Sequence, residues 1–189
     1  MYLFFDTETT GVHLNYKAPV TNLNNWPRLV QIAWILHDEN GNTLAKECFI
    51  IKPNGFNIPT AASNIHGITT DNALKNGVDI LMVLQKFSTH LNSARYLVAH
   101  NISFDKNIVG AELIRNKINN SIPSKQLLCT MEKSKNHCAL PGPYGYKWPK
   151  LTELHKKLFN SSFDGAHDAL ADITATAKCF WELRKRKLI

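Results

Sequence analysis

The sequence lacks the means to build a disulfide-stapled or zinc-ribbon scaffold. Its four cysteines, Cys48, Cys129, Cys138 and Cys179, are far apart and contain no C-x-x-C pair, a usage that points to a reducing compartment. No apolar run approaches the roughly 18 residues that a membrane span needs. The longest, Leu29 to Leu36, is interrupted by Gln31. The apolar opening Met1 to Phe5 stops at Asp6 with no basic flank and no small-residue cleavage site. A signal peptide is therefore not expected, and a cytoplasmic protein without membrane contact is. Internal repeats and long Pro-, Gly- or Ser-rich linkers are also missing, so residues 1–189 are expected to form one domain. A chain of that length buries enough surface to need no staple.

Acidic residues are in the minority, 15 against 22 Lys and Arg, for a formal net charge of +7. Four of the basic residues form the run Arg184-Lys185-Arg186-Lys187, and without it 18 face 15. Charge alone is thus a weak pointer to nucleic acid. The basic run reads as a solubilising, frayed terminus.

The patterning predicts an α/β fold. Tyr2 to Phe5, Leu29 to Leu36 and Lys46 to Lys52 read as strands, the last two joined by a tight turn at Asn40-Gly41-Asn42. Apolar residues at Ile80, Val83, Leu84, Phe87 and Leu91 give helical spacing over Asp79 to Asn92. Tyr96 to Ala99 reads as a buried strand, and Ser103 as the N-cap of a helix through Ile108 and Arg115. Leu127 and Leu128 suit a short strand or turn. Leu151, Leu154 and Leu158 suit a short helix, and Asp168 to Arg184 a longer one. A hairpin followed by alternating strands and helices implies a mixed sheet with helices on its faces. Two stretches read as loops: Val12 to Pro27, with Tyr16 and Trp26, and Met131 to Trp148. The cysteines at 129 and 138 bracket His137 at a spacing that suits no common zinc site.

Three groups of acids stand out. Asp6 and Glu8, two apart on an extended chain, project to one side. Asp105 follows the strand Tyr96 to Ala99 near a helix start, where sheets of this class open a ligand crevice, although an Asp in a first helical turn also suits the helix dipole. Asp168 and Asp172 share a face of the last helix, and spacing alone leaves them as competing ligands. For His167 to work with Asp172, it must lie on the turn before that helix.

Taken together, Phe5-Asp6-Thr7-Glu8-Thr9-Thr10-Gly11, Ala99-His100-Asn101-Ile102-Ser103-Phe104-Asp105, and His167 with Asp172 resemble the three motifs of the DEDDh (DnaQ-like) 3′-5′ exonucleases. These are proofreading-type enzymes similar to the epsilon subunit of bacterial DNA polymerase III. The resemblance implies an RNase H-like fold in which three antiparallel strands are extended by parallel ones. It implies that Asp6, Glu8, Asp105 and Asp172 surround two divalent ions, Mg2+ or Mn2+, and it selects Asp172 over Asp168. In that family pattern Asp6 bridges the ions, Glu8 and Asp172 hold the one carrying the nucleophilic water, Asp105 acts through water, and His167 is the general base. Thr7, Thr9 and Thr10 would receive the 3′-terminal nucleotide. His66-Gly67-Ile68-Thr69 resembles a further family segment, with His66 and Ile68 at the terminal base.

The expected substrate is the 3′ end of single-stranded DNA, released as nucleoside 5′-monophosphates in proofreading or repair; RNA or short oligoribonucleotides are the alternative within the family. A catalytically silent nucleic-acid-binding module would have lost one of the acids, and none is lost. An adaptor presenting the Asn-rich loop and the basic tail would bind without any metal. The close of the sequence at Ile189, soon after the last helix, favours a stand-alone nuclease over an obligate polymerase subunit.

Overall fold

The computed structural model describes residues 1–189. Strand β1 (Tyr2–Thr9) is followed by a connection containing a 3-10 turn at Leu23–Asn25, then by β2 (Leu29–His37) and β3 (Thr43–Ile50). Helices α1 (Thr60–His66), α2 (Thr70–Asn76) and α3 (Ile80–Ser93) lead to β4 (Tyr96–Ala99), α4 (Ile102–Arg115) and β5 (Gln126–Cys129). Next come α5 (Thr130–Cys138), a small hairpin of β6 (Pro141–Gly142) and β7 (Gly145–Tyr146), α6 (Leu151–Phe159) and α7 (Ala169–Lys185). No helix is long and apolar enough to cross a membrane.

Five strands make one sheet in the order β3-β2-β1-β4-β5. The first three are antiparallel, and β4 and β5 run parallel to β1, as the resemblance implies. Side chains alternate across β1. Leu3 and Phe5 enter the larger core with Trp34, Leu84, Phe87, Leu97 and Ile108, on the side of α3 and α4. Tyr2 and Phe4 enter a second core with Ile35, Val98, Ile173 and Phe180, under α7. Asp6 and Glu8 continue the Tyr2 and Phe4 row, so the alternation that buries the strand also delivers both carboxylates to the α7 side. Beyond Phe4, β1 no longer pairs with β4, and its register with β2 shifts at Glu8/Thr9, where Val30 of β2 is passed over.

Several local expectations change. Strand β1 runs on to Thr9, and β3 occupies Thr43–Ile50 rather than Lys46 to Lys52. Ser103 does not cap α4: Asn101, left-handed at φ 76°, precedes the helix, and Ser103 Oγ donates to its Oδ1 at 3.0 Å. The stretch Met131 to Trp148, read as loop, contains most of α5 and the small hairpin. Cys129 joins the larger core, whereas Cys138 packs with Leu154, Leu158, Cys179 and Leu183, and all four cysteines are free.

The Val12 to Pro27 connection is tied down. Asn25 Oδ1 accepts from Asn15 N at 2.7 Å, and Asn25 Nδ2 donates to Asn15 O at 3.0 Å. Trp26 is buried and its Nε1 donates to Pro19 O at 3.1 Å. Behind it, fully buried Glu112 accepts from Arg28 Nε at 2.7 Å and from Arg115 at 2.9 Å. Arg115 also donates to the carbonyls of Leu23 and Trp26. A buried carboxylate held by two guanidinium groups in this way locks the end of the connection to α4.

Candidate active site

Three chain segments far apart in sequence meet at the open end of β1. Asp6 and Glu8 come from the strand. Asp105 comes from the first turn of α4 and is buried. Its Oδ1 accepts from both Thr7 N, at 3.1 Å, and Thr7 Oγ1, at 2.7 Å, which pins α4 to the strand that carries the other two acids. Asp172 comes from the first turn of α7, and its Oδ2 accepts from His167 N at 3.0 Å. His167 lies on the turn before α7, exposed and left-handed at φ 71°, where spacing required it to be. Asp168 is the N-cap of α7, its Oδ1 accepting from Leu170 N at 2.7 Å. One carboxylate therefore closes the helix end and leaves the other for the site.

The residue that seats α7 is Gln31, the polar interruption of the apolar strand. It lies opposite Glu8 in β2, is buried, and its Oε1 accepts from Ala169 N at 3.2 Å. The interruption of the run was visible in the sequence; its partner, 138 positions away, was not.

The four acids strain one another. Burial, followed by the charges of Asp105, Asp172, Glu8 and Asp168, pushes the Asp6 carboxyl well above its ordinary range. Glu8 is pushed up to about 8, by burial first and then by Asp172, Asp105 and Asp168. Burial raises Asp105 to about 7 against the opposing pull of the Thr7 hydroxyl and the backbone N–H groups. Asp172 is raised by burial, with the His167 N–H acting against it. None of the four forms an ion pair with Lys or Arg. Glu8, His167 and Asp172 each offer a ligand atom, all within 4.8 Å of one another. Uncompensated oxygen donors with one imidazole and no thiolate make a set suited to a hard divalent cation.

A cleft of about 320 Å3 opens beside Glu8, bounded by Thr7 to Val12, by Ala61, Ala62, Ile65 and His66 of α1, and by Phe104. The expected nucleotide contacts are only partly there. The side chains of Thr7 and Thr9 are buried. The Thr7 hydroxyl is committed to Asp105, that of Thr9 donates to Gly11 O at 2.6 Å, and that of Thr10 accepts from Arg28 N at 3.0 Å. Thr7 and Thr9 therefore shape the cleft without offering it a free hydroxyl, whereas Thr10 keeps its O–H to donate. Ile68 is not in it: the side chain packs with Val30, Ile58, Ala62 and Ala73, because the turn after α1 points it into the body of the protein. Exposed Val12 and Ile65 and half-buried Phe104 are the larger apolar side chains at the opening. His66 does line the cleft. Its Nδ1 accepts from Ile68 N at 3.1 Å, which places the proton of the neutral ring on the buried Nε2; burial holds the ring's pKa below the usual histidine value, against the pull of a bond to the Thr9 backbone.

The exonuclease family model (RNase_T) matches residues 3–180, a span that includes all five motif residues. The chain belongs to this exonuclease family. Among curated relatives, the 3′-5′ exonuclease DinG of Bacillus subtilis is 31% identical over 98% of this chain and 18% of its own length. The PolC-type DNA polymerase III of Listeria innocua is 29% identical over 97% of this chain and 11% of its own. The chain thus spans less than a fifth of the curated relatives it matches. Escherichia coli exonuclease I in complex with a dT13 oligonucleotide superposes with a TM-score of 0.78 at 23% identity, over 98% of this chain and 41% of that one. The fold is that of the RNase H-like exonucleases.

Proposed function

We propose that residues 1–189 form one exonuclease domain that removes nucleoside 5′-monophosphates from the 3′ end of single-stranded DNA, using two Mg2+ or Mn2+ ions. The observation that carries this reading is the meeting of Asp6, Glu8, Asp105 and Asp172 beside an open cleft, with His167 next to them and no basic side chain paired to any of the four.

Asp6, Glu8 and Asp172 would hold the cations, with Asp105 acting through water, and the ions would offset the negative charge that develops on the phosphoryl and leaving oxygens. The protein's own part is proton transfer and placement. His167, exposed beside Asp172, accepts the proton of the attacking water, a role suited to an imidazole near neutral pH. As the new O–P bond forms, the bond to the 3′ oxygen of the preceding nucleotide breaks, and that oxygen takes a proton from solvent. The terminal nucleotide rests on the backbone of residues 8–11, between Ile65 and Phe104. Relatives that are PolC-type DNA polymerases and a structural neighbour bound to a DNA oligonucleotide support DNA as the substrate and proofreading or repair as the setting.

The test is cleavage of matched 3′-labelled and 5′-labelled DNA and RNA oligomers with magnesium, manganese or EDTA. Stepwise, metal-dependent loss from the 3′ end, faster on DNA and absent in Asp6→Ala, is expected. Binding of both polymers without cleavage of either would refute the reading.

A further inference from the structure

A second cleft, of about 500 Å3, lies on the other side of Phe104 from the one beside Glu8. His13, Tyr16 and Trp26 of the 12–27 connection line one part of it and Trp148 another, with Phe104 and the start of α4 between. Phe104 borders both clefts. A strand whose terminal nucleotide lies beside Glu8 therefore has this aromatic cleft adjoining it. No acidic residue lines the cleft, in contrast to its neighbour, so a phosphodiester backbone meets no repulsion there.

Two of its aromatics are uncovered. Tyr16 is 70% exposed and Trp148 59%, yet neither sits on a slack segment. The backbone around Tyr16 is held by the paired bonds between Asn15 and Asn25 and by Lys17 N donating to Asn15 Oδ1 at 2.9 Å. Trp148 is flanked by Lys147, whose N donates to Leu140 O at 2.9 Å, and by Pro149, whose carbonyl is 3.0 Å from His100 Nε2. The other ring nitrogen of His100 meets Thr130 Oγ1 at 2.9 Å. The histidine between β4 and α4 thereby ties the Trp148 segment to the part of the chain that carries Asp105. Exposed aromatic faces on anchored backbone are prepared stacking platforms, because little conformational freedom remains to be lost on binding. Lys17 Nζ, 5.5 Å from the centre of the Tyr16 ring, adds a cation at the mouth.

We propose that this cleft is a stacking subsite, in which Tyr16 and Trp148 receive unpaired bases of the same strand upstream of the scissile nucleotide. The proposal rests on the exonuclease reading for the direction of the strand, and it identifies the device that selects single strands: a base engaged in a duplex cannot present its face to either ring.

The experiment is a length series of oligo(dT), from two to eight nucleotides, comparing kcat/KM in the wild type, Tyr16→Ala, Trp148→Ala, Trp148→Phe and Tyr144→Ala. Affinity for the octamer is measured in parallel by anisotropy, with calcium replacing magnesium. In the wild type kcat/KM rises with length through KM. Each alanine variant in the cleft loses about tenfold of that gain, Trp148→Phe keeps most of it, and Tyr144→Ala, whose exposed ring lies outside the cleft, keeps all of it. Undiminished length dependence and octamer affinity in both cleft variants would overturn the proposal. An equal loss at every length, dinucleotide included, would overturn it too, showing a structural role. A wild-type protein that binds the octamer through Trp148 but cleaves nothing would keep the subsite and refute the exonuclease reading instead.

Discussion

Gln31 Oε1 accepts the backbone N–H of Ala169 at 3.2 Å, joining the strand that faces Glu8 to the first residue of α7. That helix start carries Asp172 three residues on and the His167 turn two residues before. Both contact atoms are buried, so the bond fixes two of the site's groups against a third.

Gln31→Leu leaves the Ala169 N–H buried and unpaired. The expected cost is roughly 1–3 kcal/mol in urea unfolding, accompanied by a fall in kcat, because the Asp172 and His167 turn loses its tie to the sheet. A variant that is destabilised with kcat intact would show that α7 is seated by apolar packing alone.

The carboxylates make metal-free stability depend on pH in a defined direction. Glu8 is raised to about 8 and Asp105 to about 7, so between the ordinary carboxylate range and those values the folded protein binds more protons than the unfolded one. Their contribution is then fully present below about pH 4 and lost as pH rises to about 8. Protein stripped with EDTA should melt at a lower temperature at pH 8 than at pH 5.5, and manganese should raise the melting temperature more at pH 8. Asp6→Asn, which removes one mutually repelled charge, should flatten the EDTA profile while abolishing cleavage.

His167→Asn separates chemistry from folding. Asparagine tolerates the left-handed conformation found at this position, so the turn is retained while the proton acceptor is lost. The expected fall in kcat is about 10²- to 10⁴-fold, with melting temperature unchanged. An unchanged kcat would assign the base elsewhere.

Ile65 and Ile68 should part in their effects. Ile68→Ala opens a cavity among Val30, Ile58, Ala62 and Ala73 and is expected to cost about 2–5 kcal/mol of stability. Ile65→Ala, on the exposed wall of the cleft, should leave denaturant unfolding unchanged and raise KM. The reverse pattern would restore Ile68 to the terminal base.

Much of this fold is local pattern and was therefore legible in the chain. The helix over Ile80–Ser93, the strand Tyr96–Ala99 and the turn at Gly41 follow from apolar spacing and turn chemistry that act within a few residues. Helices α1 and α2 were missed, since seven residues each are too few to establish a period. The short α5 was missed for its polar composition, Thr130-Met131-Glu132-Lys133-Ser134-Lys135-Asn136-His137-Cys138. Asp6, Glu8, Asp105, His167 and Asp172 were named through a family resemblance; spacing alone had left Asp168 and Asp172 level, and the bond that Asp168 Oδ1 accepts from Leu170 N is what distinguishes their places.

By itself, the sequence determined the class of fold, the acids available to a cation and that Asp6 and Glu8 emerge on one side of β1, because alternation along a strand is a property of the backbone. Only the tertiary structure decided that Gln31 receives Ala169, that Glu112 draws in Arg28 and Arg115, that Ile65 replaces Ile68 at the cleft, and that Tyr16 and Trp148 share one. Each of these depends on which distant surfaces pack together, and burial makes the choice between partners that residue spacing leaves open.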